Sequence, residues 1–140
     1  MTFISIENLT TRYNTSKGLV HALEDVTFAI DKGESIGIAG ESACGKSTLG
    51  LSIIQMISNG KIYSGKIQFD GKSLLDVPDD EFNKTIRWKE ISMVFQGAMN
   101  SLDPVFSIQQ QFEEVLKQHN FEGDSKQSIL QSLNSVNLDE

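Results

Sequence analysis

Apolar and polar residues alternate with a period of about two over three segments of the chain, which is the pattern of β-strands. These segments are residues 3–13, 20–30 and 62–70, and turn residues follow the second and third of them. Two shorter apolar runs, residues 35–39 and 91–95, have the pattern of strands buried on both faces of a sheet. The chain therefore predicts long half-buried strands and two short buried ones.

Four other segments carry the periodicity and start signals of helices. The first, residues 46–57, is apolar on much of its surface, and the second extends from Asp79, as its cap, to about residue 89. Ser107 and Gln110 form a predicted capping box for the third helix, and Asp124 opens the fourth. Strands and helices together predict an α/β protein.

A glycine-containing loop lies between the short apolar run 35–39 and the helix predicted over 46–57. It follows the pattern Gly, four residues, Gly, Lys, then Ser or Thr, and this order of strand, loop and helix is typical of a phosphate-binding P-loop. The loop residues are Gly40, Glu41, Ser42, Ala43, Cys44, Gly45, Lys46, Ser47 and Thr48.

Each part of this pattern has a reason in phosphate chemistry. Glycines let the backbone curl around a phosphate without a Cβ in the way, and the following helix adds unpaired N–H groups and its positive dipole end. Lys46 supplies a mobile cation for the outer phosphates, and the Ser47 hydroxyl is placed to coordinate Mg²⁺. The loop predicts binding of a nucleoside triphosphate, ATP with magnesium.

Cys44 lies inside this loop, close to a helix N-terminus and to Lys46. Both neighbours favour the thiolate, which would make the side chain reactive. The alternative is that cysteine simply fills a position that needs a small residue, and the sequence leaves both open.

Composition and charge narrow the class of protein. The chain has 140 residues, a formal charge of −7 and a pI near 4.8, which argues against broad binding to nucleic acid or anionic lipid. One cysteine excludes an internal disulfide, and His21 and His119 lack metal-ligand spacing. No signal peptide and no membrane span are recognisable, so we expect a cytoplasmic location.

Other residues and segments indicate which class of P-loop protein the sequence resembles. Tyr13 lies on the first predicted strand, and Gln96 follows the run 91–95. Together with residues 24–28, 33–42 and 93–104, they give a sequence that resembles the ATP-binding subunits of ABC transporters, most closely those of oligopeptide and dipeptide importers. The resemblance implies an ABC P-loop NTPase core with an N-terminal antiparallel β subdomain. It implies that the β subdomain and P-loop occupy about 1–100, and that the Q-loop and the start of the helical subdomain occupy about 96–140.

The resemblance also implies residue roles. Tyr13 would stack on adenine, and Gln96 would be the Q-loop glutamine that reaches Mg²⁺ or the attacking water. Residues 97–107 would then face a transmembrane subunit. Met99, Leu102 and Val105 would contact that subunit's coupling helix or belong to the local core, and the sequence favours neither.

The sequence departs from the family pattern at Ala43, where the family usually has glycine. A positive φ at this position would cost alanine roughly 1 kcal/mol. We expect ATP binding to survive this cost.

The family pattern continues with a Leu-Ser-Gly-Gly-Gln signature, a Walker B strand ending in Asp-Glu and a switch histidine, and none of them occurs in these 140 residues. Asp139 and Glu140 follow a polar stretch and His119 comes too early, so neither fits these roles. We expect the N-terminal part of a longer protein, which binds Mg-ATP but hydrolyses it negligibly by itself.

For the whole protein, the resemblance implies transmembrane permease subunits, a second ABC ATPase subunit and, indirectly, an extracellular solute-binding protein as partners, but no nucleic acid. It would act on the inner face of the cell membrane in uptake of peptides, nickel or oligosaccharides. The alternatives are a non-transport ABC ATPase and a non-catalytic nucleotide-binding module.

Overall fold

A computed structural model describes residues 1–97 and 102–138 of the chain. The chain forms two compact units, Met1–Met93 and Val94–Glu140. Met99, Asp139 and Glu140 lie outside the described residues, so the sequence-based expectations for them have no structural counterpart. Within the described residues, no helix is both long and apolar enough to cross a membrane.

The first unit is built on an antiparallel sheet of four strands in the order β2-β1-β3-β4. The strands are β1 (Thr2–Thr15), β2 (Gly18–Asp31), β3 (Gly60–Phe69) and the two-residue β4 (Lys72–Ser73). The three strands expected from alternation are confirmed, each slightly longer than its pattern, and they form the expected antiparallel β subdomain. The periodicity missed β4 because two residues are too short to show a period.

The sheet holds together through one apolar face. Ile6 of β1 lies opposite Phe28 of β2 and Ile67 of β3, so the alternating residues of the three strands meet on the same side. The buried core of the unit adds residues from the following helices and loops. Its members are Ile6, Leu9, Leu23, Leu49, Ile67, Phe69, Leu74 and Phe82.

The four expected helices are all present. They are α1 (Lys46–Ile53), α2 (Asp79–Thr85), α3 (Ile108–Gln118) and α4 (Ser125–Ser135). The first two end about four residues earlier than their periodicity suggested. The cap assigned to Asp79 is wrong, because Pro78 with φ −57° occupies the N-cap and Asp79 is the first helical residue.

The two short buried strands predicted over 35–39 and 91–95 are absent. Ile36 and Ile38 are 41% and 50% exposed, and the second run makes only an isolated bridge between Arg87 and Ile91. A buried parallel strand depends on neighbouring strands for its hydrogen bonds. Within the part of the chain that the structure describes, no strand pairs with either run, so the apolar pattern alone does not produce a strand.

Helix α1 packs against the sheet through both apolar and polar contacts. Leu49 belongs to the core, and the Thr11 and Ser52 hydroxyl groups lie 3.1 Å apart in a buried hydrogen bond. The Ser52 hydroxyl also donates to the carbonyl oxygen of Thr48 at 2.7 Å. These contacts contribute to holding α1 against strand β1.

The second unit contains α3 and α4, which pack on each other. The predicted capping box is confirmed: the Ser107 hydroxyl accepts from the Gln110 backbone N–H, and the Gln110 side chain accepts from the Ser107 backbone N–H. Asp124 caps α4 by accepting from the Gln127 backbone N–H at 3.0 Å. Val105 is 82% exposed, which argues against its assignment to a local core.

Candidate phosphate-binding site

Two residues of the loop 40–48 lie in the left-handed region of backbone conformation. Ala43 and Gly45 both have positive φ, at 65° and 96°, and Gly45 is the N-cap of α1. Among the described residues, no side chain caps this helix and no acid occupies its first turn. The first-turn N–H groups and the positive end of the helix dipole are therefore available to an anion.

Lys46 folds back over the loop. Its ammonium group donates to the carbonyl oxygens of Gly40 at 2.8 Å and Glu41 at 2.6 Å, and it lies 3.3 Å from the Cys44 sulfur. The cation thus sits within the curve of the backbone. The Cys44 thiol is exposed next to this ammonium group, which is one of the two neighbours expected from the sequence.

An open groove of about 310 Å³ joins this loop to the first two strands. Tyr13 lines it together with residues 43–48, and the Tyr13 hydroxyl donates to the Thr48 hydroxyl at 3.4 Å. The structure therefore brings together Tyr13 and the second half of the P-loop, which are 30 or more residues apart in sequence. Gly40, Glu41 and Ser42 are exposed and lie outside the lining of the groove.

Sequence reasoning missed the wall of the groove that strand β2 contributes. That wall consists of Val20, His21 and Ala22. Val20 is paired with Tyr13 across the β1–β2 ladder. A hairpin register worked out from the two alternating segments would have found it.

His21 is held at the rim of the groove by an acid. Its Nδ1 lies 2.7 Å from a Glu24 carboxylate oxygen, which also accepts from Arg12 at 3.4 Å. The hydrogen bond and charge of His21, followed by the charge of Arg12, lower the pKa of Glu24. The contact connects the His21 side chain to Glu24 at the rim of the groove.

Two further predicted site residues differ in their placement. Ser47 is exposed at the start of α1, and its hydroxyl makes no hydrogen bond to any described residue. Gln96 is exposed and belongs to the second unit. Within residues 1–97 and 102–138, no three His, Cys, Asp or Glu side chains are grouped to hold a metal ion.

The positive φ of Ala43 leads to a prediction about stability. We expect Ala43→Gly to raise the free energy of unfolding by about 0.5–1 kcal/mol, because glycine adopts the left-handed conformation without a Cβ penalty. Urea denaturation measures the change. The matched control is Ala39→Gly, a nearby position without positive φ, where added chain entropy should instead lower stability. Equal effects of the two substitutions would contradict the strain at Ala43.

Comparison with known proteins identifies the family of this chain. The family model described as ABC transporter matches residues 23–140. The oligopeptide transport ATP-binding protein OppD of Haemophilus influenzae is 39% identical over 83% of this chain. The dipeptide transport ATP-binding protein DppD of Lactococcus lactis is 39% identical over 84%. The chain spans about a third of these relatives, 36% and 34% of their lengths.

Solved structures give the same result for the fold. The dimeric ATP-binding cassette MJ0796, in a post-hydrolysis state bound to ADP and phosphate, matches with a TM-score of 0.78 and 26% identity. The match covers 98% of this chain and 58% of that one. The antiparallel β subdomain, the P-loop followed by α1 and the matched family model all agree. This chain belongs to the ABC transporter family.

Proposed function

We propose that this chain binds Mg-ATP at the loop 40–48 as part of the ATP-binding subunit of an ABC importer. The observation that carries the proposal is the single groove that joins the uncapped N-terminus of α1, Lys46 and the Tyr13 ring. Such a site offers backbone N–H groups and a cation to phosphates at one end and an aromatic surface at the other.

The geometry supports one orientation of the nucleotide. The adenine base would stack on Tyr13 and the phosphates would bind the loop, with the ribose between them along the wall formed by β2. Lys46 would exchange its contacts with the Gly40 and Glu41 carbonyl oxygens for oxygens of the outer phosphates. Both sets of partners are oxygen acceptors at the mouth of the same loop, so a small rotation of the flexible side chain suffices.

Magnesium fits the residues present. The Ser47 hydroxyl is exposed at the helix start and would be one ligand, and the family resemblance gives Gln96 the role of a further ligand through its amide oxygen. Bound with the phosphates, the ion would neutralise part of their charge. Because Mg²⁺ keeps several ligands from phosphate and water, one or two protein oxygens are enough.

The relatives support an assignment for the whole protein. The similar proteins are named for transport of oligopeptides and dipeptides, and MJ0796 is described as a dimer. We infer permease subunits and a second ATPase subunit as partners, a position on the inner face of the membrane and peptides as the solute class. We also infer that residues 1–100 supply the β subdomain and P-loop, whereas residues 96–140 supply the Q-loop and the start of the helical subdomain.

The 140 residues by themselves should bind nucleotide without turning it over. They carry the phosphate-binding loop, but no apolar strand ending in Asp-Glu that would orient the attacking water. Positioning of the triphosphate lowers the barrier only when the nucleophile is held as well.

Calorimetric titration with ATP, with and without Mg²⁺, tests this proposal alongside an assay for released phosphate. We expect saturable binding that tightens with Mg²⁺ and no phosphate release above that of the Lys46→Ala variant. An absence of saturable binding at millimolar nucleotide would overturn the proposed site. Release of phosphate that Lys46→Ala abolishes would overturn the part of the proposal that concerns turnover.

A further inference from the structure

The C-terminus of α1 has an unusual conformation for its sequence. The Gln55 N–H donates to the Ser52 carbonyl at 3.2 Å, and the Met56 N–H donates to the Leu51 carbonyl at 2.8 Å. This pair of bonds is a Schellman motif, whose left-handed residue is usually glycine. Here it is Gln55 with φ 53°, so the helix ends in a strained turn that needs support from elsewhere.

That support comes from Arg87. Its Nε donates to the Ile54 carbonyl oxygen at 3.0 Å, and its Nη2 donates to the Gln55 carbonyl oxygen at 2.9 Å. The Ile54 carbonyl, at the C-cap, is one that the Schellman bonds leave without a helical partner, and the Gln55 carbonyl is the next one along the chain. A planar guanidinium matches such a pair of oxygens, and a cation is favoured at the negative end of the helix dipole.

The guanidinium is itself held in position. Its Nη1 donates to the Asn83 side chain, and its carbon lies 5.3 Å from the centre of the Phe82 ring, which is fully buried. Met93 also lies against α1, since a Cβ on Gly50 would come within 3.2 Å of the methionine methyl group. Met93 and Arg87 therefore support the middle and the end of α1, respectively.

The two ends of α1 differ in what they contact. The N-terminus carries the uncapped N–H groups of the P-loop, and the C-terminus rests on Arg87. A helix of eight residues is about 12 Å long and is marginal without tertiary contacts. Because the helix has only about two turns, we expect a shift at one end to be transmitted to the other.

We propose that Arg87 is a positioning residue for the phosphate site, which it holds in place through helix α1 without touching the nucleotide. The inference rests on the proposed function, because it assigns Arg87 to the affinity of that same site. Loss of the guanidinium leaves two carbonyl groups unpaired and lets the strained end of α1 relax. The N–H groups at the other end then no longer converge on one phosphate.

The test uses the 140-residue chain with three probes: Mg-ATP, inorganic tripolyphosphate with Mg²⁺, and adenosine. For Arg87→Gln we expect affinity for Mg-ATP and tripolyphosphate to fall about tenfold, with adenosine binding unchanged. Hydrogen exchange should accelerate at the Ile54 and Met56 amides, which close the helix end. Arg87→Lys should recover part of the lost affinity, because an ammonium group can still reach one carbonyl.

A control separates positioning from stability. The control variant is Phe3→Leu, which loosens the contact between the Phe3 and Phe69 rings, whose centres are 4.8 Å apart in the sheet. Phe3 belongs neither to α1 nor to the lining of the groove. The variant should lower the free energy of unfolding but leave affinity for tripolyphosphate unchanged. Each affinity is measured where tryptophan fluorescence from Trp88, the single tryptophan, shows the variant to be folded.

Two results would overturn the inference. One is unchanged affinity of Arg87→Gln for tripolyphosphate, and the other is an equal loss for adenosine, which would indicate general loosening. Either result leaves the proposed function intact if the wild-type chain binds tripolyphosphate and Lys46→Ala does not. If the wild-type chain fails to bind tripolyphosphate, the proposed function itself is wrong.

Discussion

Replacing Lys46 with alanine is expected to weaken Mg-ATP binding by at least about a hundredfold while leaving the chain folded. Among the described residues that line the groove, Lys46 is the only lysine or arginine, and it is the first residue of α1. Each hydrogen bond between charged partners is worth roughly 1.5–3 kcal/mol, and a hundredfold loss corresponds to about 2.7 kcal/mol. One or two lost phosphate contacts are therefore enough.

The fold should tolerate this change because the described partners of the Lys46 ammonium group, two carbonyl oxygens and the Cys44 sulfur, all belong to an exposed loop. Calorimetry with Mg-ATP measures the affinity, and urea denaturation checks that stability falls by less than about 1 kcal/mol. Lys66→Ala is the matched control: this lysine pairs with Glu7 on the sheet, 3.8 Å away, and is outside the groove. If Lys46→Ala binds Mg-ATP as tightly as Lys66→Ala does, Lys46 does not contribute to the site.

Binding of adenosine provides a control for the effect of Lys46→Ala. Adenosine lacks phosphates and would rely on the Tyr13 ring and the β2 wall, which Lys46→Ala leaves in place. Its weak binding should therefore survive. The contrast between the two ligands would show that the substitution removes a phosphate contact and does not disturb the whole groove.

Features that depend on neighbouring residues in the chain were predictable from the sequence. The P-loop pattern, the capping box of Ser107 with Gln110 and the alternation of β1 each have their physical cause within about ten residues. Ala43 also belongs to this group. The family pattern usually has glycine there, and the positive φ of 65° shows why.

Features that depend on distant partners were not predictable in the same way. Residues 35–39 have the composition of a strand, but strand structure needs a paired neighbour, and none of the described residues supplies one. Arg87 looked like any polar residue late in a helix, because its carbonyl partners lie more than 30 positions earlier. Periodicity carries no information about contacts of this kind.

Gly45 shows how a local motif and a distant contact combine at one residue. Its φ of 96° lies in the region that favours glycine, and a Cβ there would overlap the Ala22 carbonyl oxygen and come within 2.9 Å of a Leu23 methyl group. The glycine is thus needed both to turn the P-loop and to let α1 approach strand β2. The phosphate pattern explains the first requirement, and only the packing explains the second.

We therefore expect Gly45→Ala to lower the free energy of unfolding by about 3 kcal/mol and to weaken Mg-ATP binding at least about a hundredfold. Roughly 1–2 kcal/mol comes from the left-handed backbone, and an overlap with backbone atoms adds about 1–3 kcal/mol. Relief of the overlap would push α1 away from β2, which separates the first-turn N–H groups from the wall of the groove. Urea denaturation and calorimetric titration measure the two effects.

The matched control for this prediction is Gly37→Ala, since a Cβ on Gly37 meets no atom within 4 Å and its φ is not positive. It should change stability by less than about 0.5 kcal/mol and leave the affinity for Mg-ATP unchanged. Ala43 provides a comparison within the same loop, because it also has a positive φ, 65°, and already carries a Cβ. If Gly45→Ala costs no more than about 1 kcal/mol, backbone strain alone accounts for it, and the close approach of α1 to β2 does not constrain the site.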